Sequence, residues 1–464
     1  MRLRSIKGPD GMVCIFQSKQ VYLWGLLVAA VACGCAKTEP SDSQTFIEWV
    51  SEHVIAVESL DSSLPGADLE SFREAIGSAL VVGVGESRHD TREQLLLKGL
   101  LVRHLIEDLG FLALILEESF PHAESLDRYV MSGAGDLRDL MNCLAGWYLW
   151  DTEETLELVE WVRQFNKGRR PGQKVRIFGM DITAPAVGVQ GVIDFVRAAG
   201  TDIQLDAPAL GLDLQRGDFW PSTSQRYAAL SNERRGELGE NYDELIETMV
   251  LGRARLIASS SEKEYERMLL LAEIGRMGNA LFSSAEREEA GAIRERGMAQ
   301  TTLWILDREI AGERAIIWAH NPHVAKRPFR MPGLAEDTLK PMGVQLSEEL
   351  GDAYIALGGT FGKGAYRSDI PPGERVFAAV SEDVMDGALA EVEVPIFLID
   401  LRGVEEDSGA ARWLQQDREL RAQNSRAVLV PSAAFDLVYF VRNISRSQPT
   451  PLALRRFESL GEQQ

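Results

Sequence analysis

Histidines and carboxylates are concentrated in short polar segments that directly follow apolar runs of the chain. Three of the six histidines fall in such segments. An imidazole titrates near neutral pH and can act as a general base, and a neighbouring carboxylate can orient it. The candidates, in chain order, are Glu86, His89, Glu117, Asp181, His320 and His323. These residue types predict proton transfer or metal binding, provided that the fold brings the side chains together.

Ordinary structural roles are also open to the individual candidates. Glu86 and Asp181 can each interact favourably with the N-terminus of the helix expected after them. His104 lies on a predicted helix face and is expected to be structural, as are His53 and His122. The functional prediction therefore rests on the group of side chains and not on any one of them.

The apolar runs before these segments are expected to be strands of a parallel sheet. Between the first two, residues 91–109 carry leucines at helical spacing, which predicts a strand–helix–strand unit of the parallel kind. The runs that end in the candidate residues are 79–84, 112–116, 175–178 and 315–318, and later runs at 353–357, 395–401 and 437–441 can extend the sheet. Because open parallel sheets bind ligands beyond the carboxyl ends of their strands, all the candidates share one expected location.

The sequence predicts an α/β fold with a central, mostly parallel sheet flanked by helices. We expect one domain over residues 46–451 and a C-terminal tail over 452–464. Residues 122–166 and 225–310 are poor in β-branched runs and rich in helix-forming residues. We interpret these two segments as helical insertions that form a cap over the carboxyl ends of the strands.

The N-terminal segment is typical of an export signal. A basic stretch precedes an apolar run over residues 21–34, which is too short to span a bilayer and fits a signal-peptide core. Small residues before Cys35 and Cys33 resemble a bacterial lipoprotein cleavage site, with either cysteine as the lipidated residue. We predict a signal over 1–35, a tether over 36–45, and an exported protein of the cell envelope held by a lipid anchor. An ordinary secretory signal is the alternative.

Composition narrows the classes of partner. The 45% hydrophobic and 26% charged residues are ordinary for a globular protein and exclude a multispan membrane protein. A formal net charge of -21 repels nucleic acid, so no nucleic-acid partner is expected, and membrane contact is expected only through the lipid anchor. Cys143 alone remains for the folded part, which excludes an internal disulfide and a thiolate zinc cluster.

Common catalytic motifs are absent from the sequence. It has no Gly-x-Ser-x-Gly elbow, which argues against a serine hydrolase of the α/β type, and no dinucleotide fingerprint. No cofactor is required by any motif. His320 and His323, together with His89 and a carboxylate, form a set that can bind zinc or manganese. A bound divalent metal therefore stays open as an alternative.

Taken together, these segments resemble the erythromycin esterase family over roughly residues 46–451. The order and spacing of the matching blocks carry the resemblance, since no single block is specific. The strongest blocks are Gly85-Glu86-Ser87-Arg88-His89 with Glu93 and Lys98, residues 106–111 with Glu117, and Trp318-Ala319-His320-Asn321-Pro322-His323. Weaker matches are residues 150–153, 165–166, 179–181, 294–298 and 435–436.

The resemblance implies a hydrolase that opens a macrolide-type lactone or another small-molecule ester, with a role in antibiotic resistance. His89 would be the base that activates water, and Glu86 or Glu117 would orient it. His320 and His323 would position substrate or stabilise the oxyanion. The matching positions Lys98, Asp181 and Arg294 are assigned to substrate binding.

Two departures from the family pattern bear on the substrate. The family usually has arginine at the position of Lys98 and often glycine at the position of Asp90. Lysine cannot make the planar bidentate contact of arginine, and Asp90 adds a charge near the expected site. Two other hypotheses stay open, a metal-dependent hydrolase on the same scaffold and an anchored binding protein without turnover.

Overall fold

The computed structural model of the protein describes residues 40–61, 69–200, 204–215, 220–331, 340–369 and 372–461. The predicted signal, Cys33, Cys35, residues 36–39 of the tether and the last three residues of the tail lie outside this part of the chain, and the predictions made for them stay predictions. Within the described part, no helix is long and apolar enough to cross a membrane.

The strands follow the apolar runs closely. β2 and β5 are buried along their whole length, as expected for central strands of a parallel sheet that is covered on both faces. The described strands are β1 Ile55–Ala56, β2 Val81–Val84, β3 Ala113–Ser119, β4 Arg176–Asp181, β5 Ala315–Trp318, β6 Tyr354–Asp369, β7 Pro372–Phe377, β8 Ile396–Asp400, β9 Arg418–Ala422, β10 Ser425–Leu429 and β11 Leu437–Ile444.

In the described residues, nine of these strands form one sheet. Its order is β1-β8-β11-β6-β2-β5-β3-β4, with β7 paired to β6. The pairings from β11 through β4 are all parallel, whereas β1, β8 and β7 pair in the antiparallel direction. The carboxyl ends of β2, β3, β4 and β5 therefore meet at one edge of the sheet. The predicted α/β class with a mostly parallel sheet is confirmed.

Helices cover both faces of this sheet. Alternate residues of each strand point to opposite faces, so Ile115 and Ile317 belong to one apolar core and Leu114 and Ile316 to the other. The described helices are α1 Asp42–His53, α2 Glu70–Ile76, α3 Arg92–Glu107, α4 Phe120–Ser132, α5 Leu137–Asn142, α6 Trp147–Trp150, α7 Glu153–Asn166, α8 Ala186–Ala198, α9 Trp220–Ala228, α10 Asn232–Leu251, α11 Arg253–Ser259, α12 Glu262–Ser283, α13 Arg287–Trp304, α14 Asn321–Val324, α15 Met342–Leu350, α16 Met385–Glu391, α17 Gly409–Leu414, α18 Pro431–Ala434 and α19 Pro451–Gly461.

Helix α3 is the predicted crossover between β2 and β3. Its leucines recur at helical spacing, and Leu97, Leu101 and Leu105 are fully buried against the sheet. The two segments predicted as helical insertions contain α4 to α7 and α9 to α13. Both send side chains to the carboxyl edge of the sheet, Tyr148 from α6 and Arg294 from α13. The remainder of α13 packs against β4 and α12.

Close contacts between β2, β5, β6 and β11 fix the position of that edge. The Asn321 side chain, just after β5, bridges to β6 by donating to the Gly359 carbonyl at 2.8 Å and accepting the Gly359 N–H at 2.9 Å. Tyr439 of β11 crosses over Gly359 and donates its hydroxyl hydrogen to the Gly85 carbonyl at 2.9 Å. A Cβ atom at position 359 would lie 2.0 Å from the Tyr439 ring, so only glycine allows this crossing.

The substitution Gly359→Ala is expected to lower the free energy of unfolding by about 1–3 kcal/mol, because the new methyl group must displace the buried Tyr439 ring. Urea denaturation measures the change. The control is Gly191→Ala in α8, where a Cβ meets nothing within 4 Å and alanine should raise helix stability by up to about 1 kcal/mol. Equal stabilities for the two variants would contradict this account.

Candidate active site

A cavity of about 360 Å³ opens at the carboxyl edge of the sheet. His89, Glu117, Asp181 and Arg294 all line it, which confirms that the fold brings these sequence-predicted residues to one place. Later parts of the chain close its other side. The remaining lining residues are Arg88, Asp90, Tyr148, Leu149, Asp151, Thr152, Thr183, Ser368, Gln423, Asn424, Arg446, Ser447, Pro449 and Phe457.

His89 is held by a buried carboxylate. Its Nδ1 lies 2.5 Å from Glu86 Oε1. A carboxylate only accepts hydrogen bonds, so Nδ1 carries the proton in the neutral ring and Nε2 keeps its lone pair. The other Glu86 oxygen accepts a hydrogen bond from Lys98 Nζ at 2.7 Å. Burial would raise the pKa of Glu86, but the charges of Lys98 and His89 lower it, so Glu86 is anionic at neutral pH. Of the two carboxylates that the sequence left open, Glu86 orients His89.

Lys98 is placed differently from the sequence-based assignment. It was expected to bind substrate, but its side chain is fully buried, packs over the Trp318 ring and donates to Glu86 and to the Ala319 carbonyl. Burial lowers its pKa to about 8, with the charge of Glu86 acting in the opposite direction, so the ammonium is kept at neutral pH. Lys98 therefore binds the second oxygen of Glu86 and does not line the cavity. At this position one charged donor contacts one carboxylate oxygen. The planar bidentate group of arginine is therefore not required, and lysine is accommodated.

Arg294 connects three strand ends. Its Nη2 donates to Glu117 at 2.8 Å and to Asp181 at 2.6 Å, and its Nη1 lies 3.2 Å from His323 Nε2. Asp181 also accepts the backbone N–H groups of Ile182 and Thr183, so it caps its own loop and fixes Arg294 at the same time. The guanidinium of Arg294 is thereby rigidly aimed at the cavity.

Glu117 is fully engaged by its neighbours. One oxygen contacts Arg294 and His323, and the other accepts the backbone N–H of His320 at 2.9 Å. Burial would raise the pKa of Glu117, but the charges of His323 and Arg294 hold it well below its usual range. Glu117 is therefore an anion that organises the two histidines after β5.

The two histidines after β5 differ in protonation. His320 packs against His89 with ring centroids 4.9 Å apart and donates from Nε2 to the Ser87 carbonyl at 3.0 Å. Burial and the neighbouring His89 lower the pKa of His320 to about 3, so this ring is neutral. Burial would also lower the pKa of His323, but Glu117 and Glu295 raise it to about 10, so this ring is an imidazolium at neutral pH.

Glu295 is a site residue that the sequence analysis missed. It is buried on α13, beside Arg294, with one oxygen 2.5 Å from His323 Nδ1. Its other oxygen accepts the N–H of Met342 at 2.8 Å. It lies in a helix with many charged residues, where a glutamate normally faces solvent, so nothing in the local pattern distinguishes it.

Glu118 anchors the cavity wall next to Glu117. Its carboxyl group accepts N–H groups from Ser119, Ala145 and Gly146, the last two just before α6. Burial raises the pKa of Glu118 to about 8, so the group is mostly neutral at pH 7. The anchored segment carries Tyr148 into the cavity.

Sequence comparison identifies the family of the chain. A model of the erythromycin esterase family matches residues 106–444, well over half of the chain. The chain belongs to the erythromycin esterase family. It is 27% identical over 331 residues to erythromycin esterase type II of Escherichia coli, a match that covers 68% of this chain and 76% of that protein. Family membership supports an ester hydrolase and agrees with the resemblance seen in the motifs.

Solved structures share the fold. A Bacillus cereus protein superposes with a TM-score of 0.73 at 21% identity, covering 89% of this chain and all of that one. The erythromycin esterase EreC, solved as a histidine-to-asparagine mutant in its open conformation, gives a TM-score of 0.68 at 19% identity and covers 84% and 98% of the two chains. At these identities the likeness establishes the architecture alone.

The metal-binding alternative is not favoured by the geometry. In the parts of the chain that the structure describes, no group of three or more His, Cys, Asp or Glu side chains is placed to hold a metal ion. His89, His320 and His323 instead direct ring nitrogens at Glu86, at the Ser87 carbonyl and at two glutamates. Family membership does not favour a metal-dependent hydrolase either.

The pair Glu86 and Lys98 allows stability to be separated from activity. Glu86→Gln leaves the Lys98 charge buried without its partner and should lower the free energy of unfolding by about 3 kcal/mol or more. The double variant with Lys98→Met removes both charges and should recover most of that loss. Both variants should lose ester turnover by at least about 100-fold, because His89 loses its orienting carboxylate. Urea denaturation and initial rates measure the two effects, and recovered activity in the double variant would contradict the role of Glu86.

The substitution Glu295→Gln should lower the pKa of His323, since one of the two flanking carboxylates is lost. Nuclear magnetic resonance of ¹⁵N-labelled histidine rings follows this pKa, with His323→Asn for assignment and Glu295→Asp as the charge-preserving control. The folded pKa of about 10 lies above the ordinary 6.5. The charged ring therefore stabilises the fold fully below pH 6.5, and this contribution is lost as the pH rises to about 10. The destabilisation by Glu295→Gln should shrink over the same range, and a constant difference would contradict the assignment.

Proposed function

We propose that the protein hydrolyses carboxylic esters by adding a water molecule that His89 activates. The observation that carries this proposal is the His89–Glu86 pair on the cavity wall, with Nδ1 bound to the carboxylate and Nε2 left as the basic nitrogen. This is the arrangement of a general base and the carboxylate that orients it. Membership in the erythromycin esterase family supports the same chemistry.

The reaction requires one proton acceptor and later one proton donor. Nε2 of His89 takes a proton from water while the water oxygen bonds to the ester carbonyl carbon. The tetrahedral intermediate then collapses, the bond to the alkoxy oxygen breaks, and His89 returns the proton to the leaving alcohol. Glu86 stabilises the imidazolium between the two steps, and no bond to the protein is formed.

Arg294 is suited to hold the negative charge that develops on the carbonyl oxygen. The Nη2 and Nε groups of Arg294 are bound to Glu117 and Asp181, and its Nη1 faces a His323 ring that is itself a donor. Two donors do not bond to each other, so Nη1 hydrogens remain for a ligand in the cavity that Arg294 lines. Fixed donors of this kind stabilise an oxyanion.

The first substrate to test is a macrolide-type lactone, because the relative from Escherichia coli carries the name erythromycin esterase. The cavity of about 360 Å³ is at the small end for a ligand site, so it accommodates the ester group with its neighbouring atoms and leaves the remainder of a macrolide outside. Smaller esters fit entirely. A panel should therefore include both.

Incubation of the purified protein with erythromycin, followed by mass spectrometry, should show product heavier by the mass of one water. His89→Ala should reduce the rate by a factor of about 10² or more, because the base is removed. The matched control is His53→Ala, which changes an exposed histidine of α1 and should leave the rate as in the wild type.

Three outcomes would contradict the proposal. Near-wild-type turnover in His89→Ala would exclude His89 as the base. A covalent acyl adduct on the protein at early times, detected by intact-protein mass spectrometry, would exclude direct attack by water. Binding without turnover across the whole ester panel would favour a binding protein.

A further inference from the structure

The tip of the β9–β10 hairpin forms part of the cavity wall. Gln423 and Asn424 make the turn between the two strands, and both line the cavity together with His89. In the described residues, β9 and β10 pair with each other, and neither pairs with a strand of the central sheet. The hairpin is attached to the sheet by side-chain contacts instead, with Arg421 of β9 donating to the Phe361 and Gly362 carbonyls of β6.

Gln423 adopts a backbone conformation that favours glycine. Its φ is +52°, and no other non-glycine residue in the described part of the chain has a positive φ. Glycine would adopt this conformation without strain, whereas a glutamine pays a steric cost. Residues in such conformations are concentrated at ligand-binding sites, where the side chain is needed despite the strain.

Two hydrogen bonds fix the tip against the residues before His89. The N–H of Gln423 donates to the Ser87 carbonyl at 2.8 Å, and Arg88 Nη1 donates to Asn424 Oδ1 at 2.6 Å. Ser87 also accepts the hydrogen bond from His320. The position of the Gln423 side chain is thus set relative to the proposed base.

The Gln423 amide is available to a ligand. Its side chain is half-buried and makes no hydrogen bond to the described part of the protein. An amide in this position offers both a donor and an acceptor. The surrounding wall offers polar side chains beside the apolar residues Leu149, Pro449 and Phe457. A ligand that fills this side of the cavity must satisfy polar groups.

We propose that Gln423 is a specificity-determining residue that hydrogen-bonds a hydroxyl-bearing arm of the ester substrate. The proposal rests on the proposed ester hydrolysis and adds the chemical class of the group next to the ester. A hydroxyl both donates and accepts, and so complements the amide. A site that hydrogen-bonds a hydroxyl discriminates against the analogue that lacks it, because the amide is then left unpaired.

The experiment compares matched ester pairs that differ only in hydroxyl groups. Glyceryl and propyl benzoate test the alcohol arm, and ethyl 3-hydroxybutanoate and ethyl butanoate test the acyl arm. The wild type should prefer the hydroxylated member of at least one pair in kcat/KM. Gln423→Gly removes the amide and relieves the backbone, and should lower this preference about three- to tenfold. Gln423→Asn keeps an amide and tolerates the left-handed conformation, so it should retain part of the preference.

A control variant and two further measurements complete the experiment. The control is Gln415→Ala, an exposed position outside the cavity, which should keep the wild-type preference. Thermal unfolding should place the Tm of Gln423→Gly within a few degrees of the wild type, because glycine suits the positive φ. Isothermal titration calorimetry measures the Kd values of the amides that correspond to these esters. The ratio of the two Kd values within a pair gives the same preference without any ester hydrolysis.

The outcomes separate the two proposals. A wild type without preference in either pair, or a preference unchanged in Gln423→Gly, would overturn the role of Gln423. Hydrolysis lost in His89→Ala would then still support the esterase. Conversely, discrimination between the amides that depends on Gln423, with no ester hydrolysed, would support the subsite and contradict the proposed reaction.

Discussion

Compensation of buried charge is the constraint on which the site depends. The ends of β2, β3 and β4 and helix α13 together contribute four buried carboxylates, and an uncompensated charge in such a place is costly. Three cations form ion pairs with these carboxylates. The carboxylates are Glu86, Glu117, Asp181 and Glu295, and the cations are Lys98, Arg294 and His323. Each of these ion pairs offsets the cost of burying its carboxylate.

The sequence was sufficient to predict the strands that carry the site. Apolar runs that end in polar residues located β2, β3, β4 and β5, and the parallel arrangement placed their ends together because such strands share an edge. His89, Glu117 and Asp181 accordingly meet in one cavity. The sequence did not predict the direction in which individual side chains point. Lys98 looked like a substrate ligand, but it is turned inward, since a helix presents both a buried and an open face.

Partners that are distant along the chain could not be inferred from local pattern. Glu295 contacts His323 because α13 packs beside the end of β5. The hydrophobic periodicity of the sequence does not predict that packing. Gln423 gave no signal either, because a glutamine in a polar turn is ordinary until its backbone angle is known. The wall after β11, with Arg446 and Phe457, likewise depends on where the chain goes after the sheet is complete.

The separation of the β9–β10 hairpin from the central sheet has a consequence for how this protein can change. The proposed base His89 and its partner Glu86 lie directly after β2, where a replacement disturbs several neighbours. The hairpin tip contributes to the same cavity but forms no pairing with the strands of the central sheet in the described residues. Selectivity can therefore change, or be engineered by exchanging the turn, while the residues proposed to carry out the reaction stay the same.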